Sequence, residues 1–596
     1  MTELWTKLKQ RKLVQWAVAY VAFAFAFLQG VDIVAQQFAW PESVRRGITL
    51  ALVLGFFVTL LLAWYHGEQG RQRVSGTELL LITLLLGFGG AFLWRVAGKP
   101  PASGQVQVAA SQSSVARTVA ASSASPVSGT ESIPRKSVAV LPFANESGDN
   151  KEQFFSDGLS EDLITALSQF TGLKVINSDS SFKFRDSHDS VSTIASKLGV
   201  ARLLQGGVRR LGDEVRIRAE LVNAADASTL WSQHYDRPYK DLFKLQDDIT
   251  RSVADALKAR LLDDHPVQND RPPSGNLQAY TAYLKSRAQP ATAAGIRQSI
   301  VLLKEATQID PKYAQSYALM STYWMFLAAA FTSNDADTRQ ATEHARAAAD
   351  TALRLDPNLA GAHYARAFIL LNADLDWQGA LAEADKVVSL APNDPSIASI
   401  KSQVLTALGR TGEAENIIRK RIASNPLNAG AYLNLALILR MSRLDAAQAA
   451  LHKAIELAPG NARLHANLTL VELLRGDRAA AAAAAKAEPP GFWHVFAEAA
   501  VLQTGTDRAA ADATLKDINQ KFAGTDAYQV AELYALRKDP DGMFHWLDRS
   551  WTNRDPGIQH LLVDPLILRY KDDPRFAAYC RKTGLPVPAV NGAPSD

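Results

Sequence analysis

The residues best placed to do chemistry lie between Ser137 and Leu167, in SVAVLPFANESGDNKEQFFSDGLSEDLITAL. An apolar run gives way to a Gly-punctuated polar segment and then to a helical pattern, the order in which many phosphate sites begin. A phosphate loop needs Gly-x4-Gly-Lys-Ser/Thr, so that backbone amides and a lysine surround the anion. The chain contains no such run, and NESGDNKEQ is acidic where phosphate calls for positive charge. Glu146, Asp149, Glu152, Asp157, Glu161 and Asp162 are candidates to collect a cation. The plainer reading, a solvated loop with acidic residues at a helix start, is favoured. Downstream, Arg209, Arg210, Arg216 and Arg218 form the best basic cluster, able in principle to meet an anionic glycan, lipid or nucleic acid. Here too the plainer reading is favoured: the wet face of a hairpin, balanced by Glu214 and Glu220.

Other chemistry is missing from the sequence. No GxGxxG follows a strand, no HExxH or other metal-spaced pair stands out among the 11 histidines, and no GxSxG elbow occurs. The expectation is no catalytic, cofactor-binding or metal site, and no enzyme. Lys+Arg 64 against Asp+Glu 60, a net charge of +4, leaves no bulk field to attract nucleic acid, and none is expected as a partner. The one cysteine, Cys580, can form neither an intrachain disulfide nor a cysteine-rich zinc site.

The elements that would position these residues follow from hydropathy. Residues 14–35, 47–65 and 79–96 each approach the roughly 20 apolar residues needed to cross a bilayer. Trp16, Trp40, Trp64, Tyr65 and Trp94 sit near their ends, as interfacial anchors do. Six Lys and Arg flank these segments on the N-terminal side of the membrane and four on the other, a bias towards a cytoplasmic N-terminus. Three crossings then put everything after about residue 99 in the periplasm of a bacterium. Asp32, near the outer end of the first span, reads as a solvated interfacial carboxylate. Residues 1–99 are thus expected to be a membrane domain, and residues 100–135, rich in Ala and Ser, a disordered linker.

Order resumes with SVAVLPF, a buried strand. Phe155, Leu159, Leu163, Ile164 and Leu167 fall at helical spacing, with Ser160 or Asp157 as possible caps. LKVINSD reads as a second strand and Val191 to Leu198 as a short helix. LLQGGVRRLGDEVRIRAELVN reads as two strands turning at Gly212-Asp213, with Val215, Ile217, Ala219 and Leu221 on the core face. LWSQHYD can add a strand, and an amphipathic helix from Asp241 to Leu262 closes the unit. This α/β domain, residues 136–265, resembles the TolB-like amino-terminal domain, on SVAVLPFANESGD…FFSDGLSEDLITALS, LLQGGVRRLGDEVRIRAELVNAADASTLWSQHYDR and DLFKLQDDIT. Proteins of that layout are often labelled adenylate cyclase, because some relatives carry a cyclase domain ahead of the membrane part. The dozen residues before the first span leave no room for one, so the resemblance implies no cyclase activity here.

The remainder repeats. Pro311, Pro357, Pro392, Pro426 and Pro459 end helical stretches, and the last four are spaced by 35, 34 and 33 residues. Counting back 12, 8 and 5 gives Ser299/Leu303/Ala306, Ala345/Ala349/Ala352, Ala380/Ala384/Val387, Ala414/Ile418/Arg421 and Ala447/Leu451/Ala454. Small residues recur where a neighbouring helix must approach. The pattern resembles the tetratricopeptide repeat, two antiparallel helices per unit. Residues 275–490 are assigned to this array, and 491–596 to degenerate repeats and a cap. The resemblance implies a concave groove lined by first helices. It sets Asn434 and Asn467 at a position that binds a peptide backbone or carboxylate in some relatives, with Arg440 nearby.

The expected fold class is multidomain: three transmembrane helices, an α/β TolB-like domain and an all-α solenoid. The expected function is a non-enzymatic scaffold at the bacterial inner membrane that binds protein or peptide in the groove and lipid through its three spans. The alternatives are a transmembrane sensor of an envelope ligand, which needs a cytoplasmic output, and a cyclase-type enzyme, which needs a catalytic domain.

Overall fold

The computed structural model describes residues 133–258, 260–261, 270–330, 335–392, 394, 397–522 and 524–588. The three apolar runs and almost all of the Ala/Ser-rich linker lie outside the described residues. Among the described residues, no helix is long and apolar enough to cross a membrane.

The first domain is built on strands β1 (Ser137–Val140), β2 (Ala144–Asn145), β3 (Lys174–Ile176), β4 (Arg202–Leu211), β5 (Glu214–Asn223) and β6 (Thr229–Pro238). Their order is β3-β1-β4-β5-β6, with β2 also pairing β4. β1 runs parallel to β3 and β4, and β4, β5 and β6 form an antiparallel meander. The period of two sorts the side chains. Val138 and Val140 face α1 (Gln153–Ser168) and α3 (Leu242–Ala256), while Ala139 joins Ile194 and Leu198 of α2 (Val191–Leu198) on the other face. All five apolar positions of the α1 pattern are buried, as are Val215, Ile217, Ala219 and Leu221 of β5.

One detail of α1 differs from expectation. Asp157 and Ser160 lie inside the helix, whose N-terminal flank Glu152 makes no side-chain cap. Ser160 instead accepts the Phe143 amide at 2.9 Å and donates to the Ser156 carbonyl. It ties the strand-to-helix connection to the helix body, where a cap would have marked the start of the helix.

From Leu277 the chain is a TPR-like solenoid of antiparallel pairs: α4 (Leu277–Arg287) with α5 (Ala293–Ile309), α6 (Ala314–Ala330) with α7 (Asp335–Leu355), and α8 (Ala360–Ile369) with α9 (Trp377–Leu390). There follow α10 (Ser399–Ala407) with α11 (Thr411–Ser424), α12 (Ala429–Leu439) with α13 (Leu444–Leu457), and α14 (Leu464–Arg475) with α15 (Arg478–Ala487). Last come α16 (Phe492–Gln503) with α17 (Arg508–Phe522) and α18 (Ala527–Arg537) with α19 (Pro540–Thr552). Each of the five prolines stands just after a second helix, where its missing N–H and fixed φ stop helical hydrogen bonding. The counted-back positions are buried in every pair except Arg421, which is half-buried.

The sheet domain touches the solenoid twice. At the first place α1 lies on α4, so closely that a Cβ on Gly158 would stand 2.6 Å from Leu284 Cδ1. Here Glu161 pairs with Arg287 at 2.8 Å, Arg287 reaches Asp270 at 3.1 Å, and Gln246 and Tyr280 donate to the Asp162 carboxylate. Burial, and next the neighbouring Asp270, push the Asp162 carboxyl up to about 8. At the second place the turn between α11 and α12 is gripped by residues 177–183. Asn177 N donates to Ser424 O at 2.9 Å, Asn425 and Asn428 both donate to Asp179 at 3.0 Å, and Lys183 donates to Leu427 O at 2.7 Å.

Candidate functional site

The acidic loop and the basic hairpin, each a candidate site on sequence grounds, are partners of one another. Arg218 pairs with Glu146 at 3.1 Å and Arg210 with Glu152 at 3.4 Å, while Arg216 pairs with Asp236 at 2.6 Å across β5 and β6. Arg210 also lies 3.9 Å above the Tyr239 ring. Asp157 pairs with Arg185 and Glu161 with Arg287. Asp149 caps the turn after it, accepting the Lys151 amide. The carboxylates therefore do not converge on a common centre, and three of the four arginines are paired, while Arg209 is exposed. Among the described residues, no group of three or more His, Cys, Asp or Glu is arranged to hold a metal ion.

The residues that do converge line the inner face of the solenoid, formed by first helices. After α19 the chain does not leave the array. It turns back as a 3-10 segment (Pro556–Val563), a one-turn helix (Pro565–Leu568) and α20 (Pro574–Thr583). Each begins with Asp-Pro, a helix start in which proline supplies the preset φ and the aspartate caps. Asp555, Asp564 and Asp573 accept amides two residues ahead at 2.8–2.9 Å. This strap crosses the inner face. Ile558 and Leu561, both fully buried, share a core with Ile400 and Val404 of α10 and with Tyr528 and Ala531 of α18. Leu562 lies against Gly409. Two hydrogen bonds fasten its ends: Arg554 to Asp374 O at 3.0 Å, and Trp377 Nε1 to Thr583 O at 2.7 Å.

A buried charge cluster sits beneath the strap. Arg440, 4% exposed at the end of α12, stands 3.9 Å from Glu532 and 3.7 Å from Asp564. Tyr528 Oη donates to Asp564 at 3.1 Å. Glu488 accepts the Arg463 and Ala466 amides at 2.7 Å, a carboxylate on a helix N-terminus. Burial, and next the Asp564 carboxylate, hold Glu532 well above the usual carboxylate range. Burial raises Asp555 to about 6, and burial with Arg463 and Arg440 nearby drops His560 to about 3, so its ring is neutral.

Of the three residues singled out for partner binding, Arg440 is thus engaged by this chain's own carboxylates. Asn467 is buried and donates to Arg463 O at 2.8 Å, one turn back in its own helix. Asn434 is half-buried on α12. Sequence reasoning missed Asp564, Glu532 and Tyr528 as the companions of Arg440. The repeated Asp-Pro starts in RDPGIQHLLVDPLILRYKDDP were a visible signal of a compact closing segment, but not of where it lies.

Comparison with known proteins divides along the same line. A family model described as HilA/YgeH-like transcriptional regulator, second domain, matches residues 134–252, about a fifth of the chain. The putative adenylate cyclase 3 of Rhizobium meliloti (strain 1021) is 34% identical over 192 residues, 32% of this chain. The chain spans about a third of that relative's length. Among solved structures, YrrB, a TPR protein with an unusual peptide-binding site, is 18% identical with a TM-score of 0.25, covering 33% of this chain and 97% of its own. The type IV pilus biogenesis factor PilW is 16% identical with a TM-score of 0.28, covering 43% and 96%. A tetratricopeptide repeat protein from Parabacteroides merdae ATCC 43184 is 15% identical with a TM-score of 0.33, covering 44% and 100%.

Proposed function

We propose that this chain is a non-enzymatic scaffold that binds a protein or peptide partner on the inner face of its solenoid. The observation that carries the reading is the stack of eight antiparallel helix pairs among the described residues from Leu277 to Thr552, in which first helices pack on one another at α6–α8, α14–α16 and α16–α18. Stacked pairs of this kind hold an extended concave surface on a stiff frame, which suits recognition of a chain better than turnover of a small molecule. The paired state of the acidic loop and the arginine hairpin supports the same reading, because neither is left to act on a substrate. The sheet domain, TolB-like in its motifs, grips the solenoid at α4 and at the α11–α12 turn, and so serves as its mount.

The proposal extends to a setting. The apolar runs 14–35, 47–65 and 79–96 anchor the chain in the bacterial inner membrane, with the N-terminus cytoplasmic and the sheet domain and solenoid in the periplasm. Alkaline phosphatase fused near Ser113 should be active; an inactive fusion whose fluorescent counterpart is bright places these domains in the cytoplasm. Full-length protein recovered from detergent-solubilised cells should carry a specific partner retained through residues 275–590, and recovery of none counts against the scaffold.

A further inference from the structure

Part of the inner face of the solenoid, at α10 and α18, is already covered by a peptide, and that peptide belongs to the chain itself. We infer that the strap from Arg554 to Tyr570 is an exchangeable ligand of this face. On that reading the face recognises a partner segment of the same chemistry: a carboxylate followed by aliphatic side chains, set in tight Asp-Pro turns. The inference rests on the scaffold reading above and adds to it the kind of partner and the way access is controlled.

Four observations carry it. First, the strap docks through pieces that are complete on their own. Its first two turns are capped by its own aspartates, Asp555 on Gly557 and Asp564 on Leu566, so the segment keeps local order when it leaves the face. Second, it is a 3-10 segment and a single helical turn, whose internal hydrogen bonding is weaker than that of a full helix. Third, its match to the face is apolar but electrostatically incomplete. Arg440 meets Asp564 only at 3.7 Å, and Arg440 Nε and Arg463 Nε are buried without a hydrogen-bond partner among the described residues. Buried donors in that condition favour any occupant that brings a better-placed acceptor. Fourth, few hydrogen bonds tie the strap to the solenoid: Arg554 to Asp374 O at 3.0 Å, the Tyr528 amide to Asp555 at 2.8 Å and its hydroxyl to Asp564 at 3.1 Å, and Tyr570 Oη to Ala535 O at 3.3 Å.

A partner then has a defined task. It must place a carboxylate beside Arg440 and aliphatic side chains against Ile400 and Val404, while Ile558, Leu561 and Asp564 withdraw. Its apparent affinity is set by the fraction of molecules with the strap released.

A reversible lock tests this in the full chain. A Cβ on Gly409 would lie 3.3 Å from that of Leu562, within reach of a disulfide once the two segments relax slightly. The double substitution G409C and L562C can therefore be compared with itself, oxidised and reduced. Any folding cost of the substitutions, including that of a side chain at the positive φ of Gly409, is common to both states. The native Cys580 is fully buried and does not compete. The probe is a fluorescent peptide of residues 554–570, followed by anisotropy. The reduced form, with the Leu562 anchor trimmed, should bind the peptide roughly tenfold or more tightly than the native chain, and the oxidised form should not bind. Equal binding in both redox states, or no binding in either, overturns the inference. Absence of peptide binding with a partner still recovered by full-length bait leaves the scaffold standing without the strap. Redox-gated peptide binding with no cellular partner sinks the scaffold instead.

Discussion

Replacing Arg440 by alanine is expected to destabilise the protein by about 3–5 kcal/mol, because it leaves two carboxylates buried without their cation. Glu532 and Asp564 lie 3.9 and 3.7 Å from the guanidinium, and side-chain exposures of 5% and 0% give them little water in exchange. The loss should depend on pH, with a sign that follows from linkage. Removing Arg440 takes away a charge that lowers the Glu532 carboxyl, so its pKa in the folded state rises further and the variant folds best where Glu532 is protonated. Its penalty is then largest above the folded pKa of Glu532 and shrinks as pH falls. Thermal melts at pH 8 and pH 5 should show a wider gap from the native protein at pH 8. A gap independent of pH would mean that Arg440 matters for packing alone. The triple variant R440M/E532Q/D564N removes all three charges, keeps the cap on Leu566, and should recover most of the loss.

Gly206→Ala is expected to cost about 3 kcal/mol and to unfold the sheet domain first. A Cβ there would stand 2.1 Å from the carbonyl oxygen of Arg218 on β5 and 2.9 Å from Phe143, which is fully buried. Neither neighbour can yield without parting β4 from β5. Gly212→Ala is the control. Its Cβ would meet nothing within 4 Å, and only the φ of +60° opposes it, so the cost should be nearer 1 kcal/mol. Denaturant melts compare the two. Equal losses would mean that backbone conformation, and not the close approach of two strands, governs this hairpin.

Local pattern carried much of this fold. The period of two in VRIRAEL and the helical spacing from Phe155 to Leu167 each name a buried face without knowledge of what covers it. The helix-ending prolines and the small residues counted back from them describe one repeat unit in the same way. What the sequence could not show are pairings between residues far apart in the chain. Asp179 meets Asn425 across 246 positions, and Asp162 meets Tyr280 across 118. No periodicity encodes either. The two glycines of LLQGGVRR are visible in the sequence, yet their reason lies in Arg218 and Glu146, which approach them from other strands and loops. The same holds for the inner face. Asn434, Asn467 and Arg440 follow from repeat alignment, but the strap whose Asp564 reaches Arg440 comes from late in the sequence.

The central claim is that the inner face of the solenoid is where this protein meets its partner. A photo-cross-linking amino acid at Asn434, on first helix α12, tests it directly in intact cells when paired with the same group at half-buried Lys453 on second helix α13. The prediction is a discrete intermolecular adduct from position 434, absent from 453, and competed by the peptide of residues 554–570. Adducts equal at both positions, or none at 434 beyond cross-links within the chain, would contradict it.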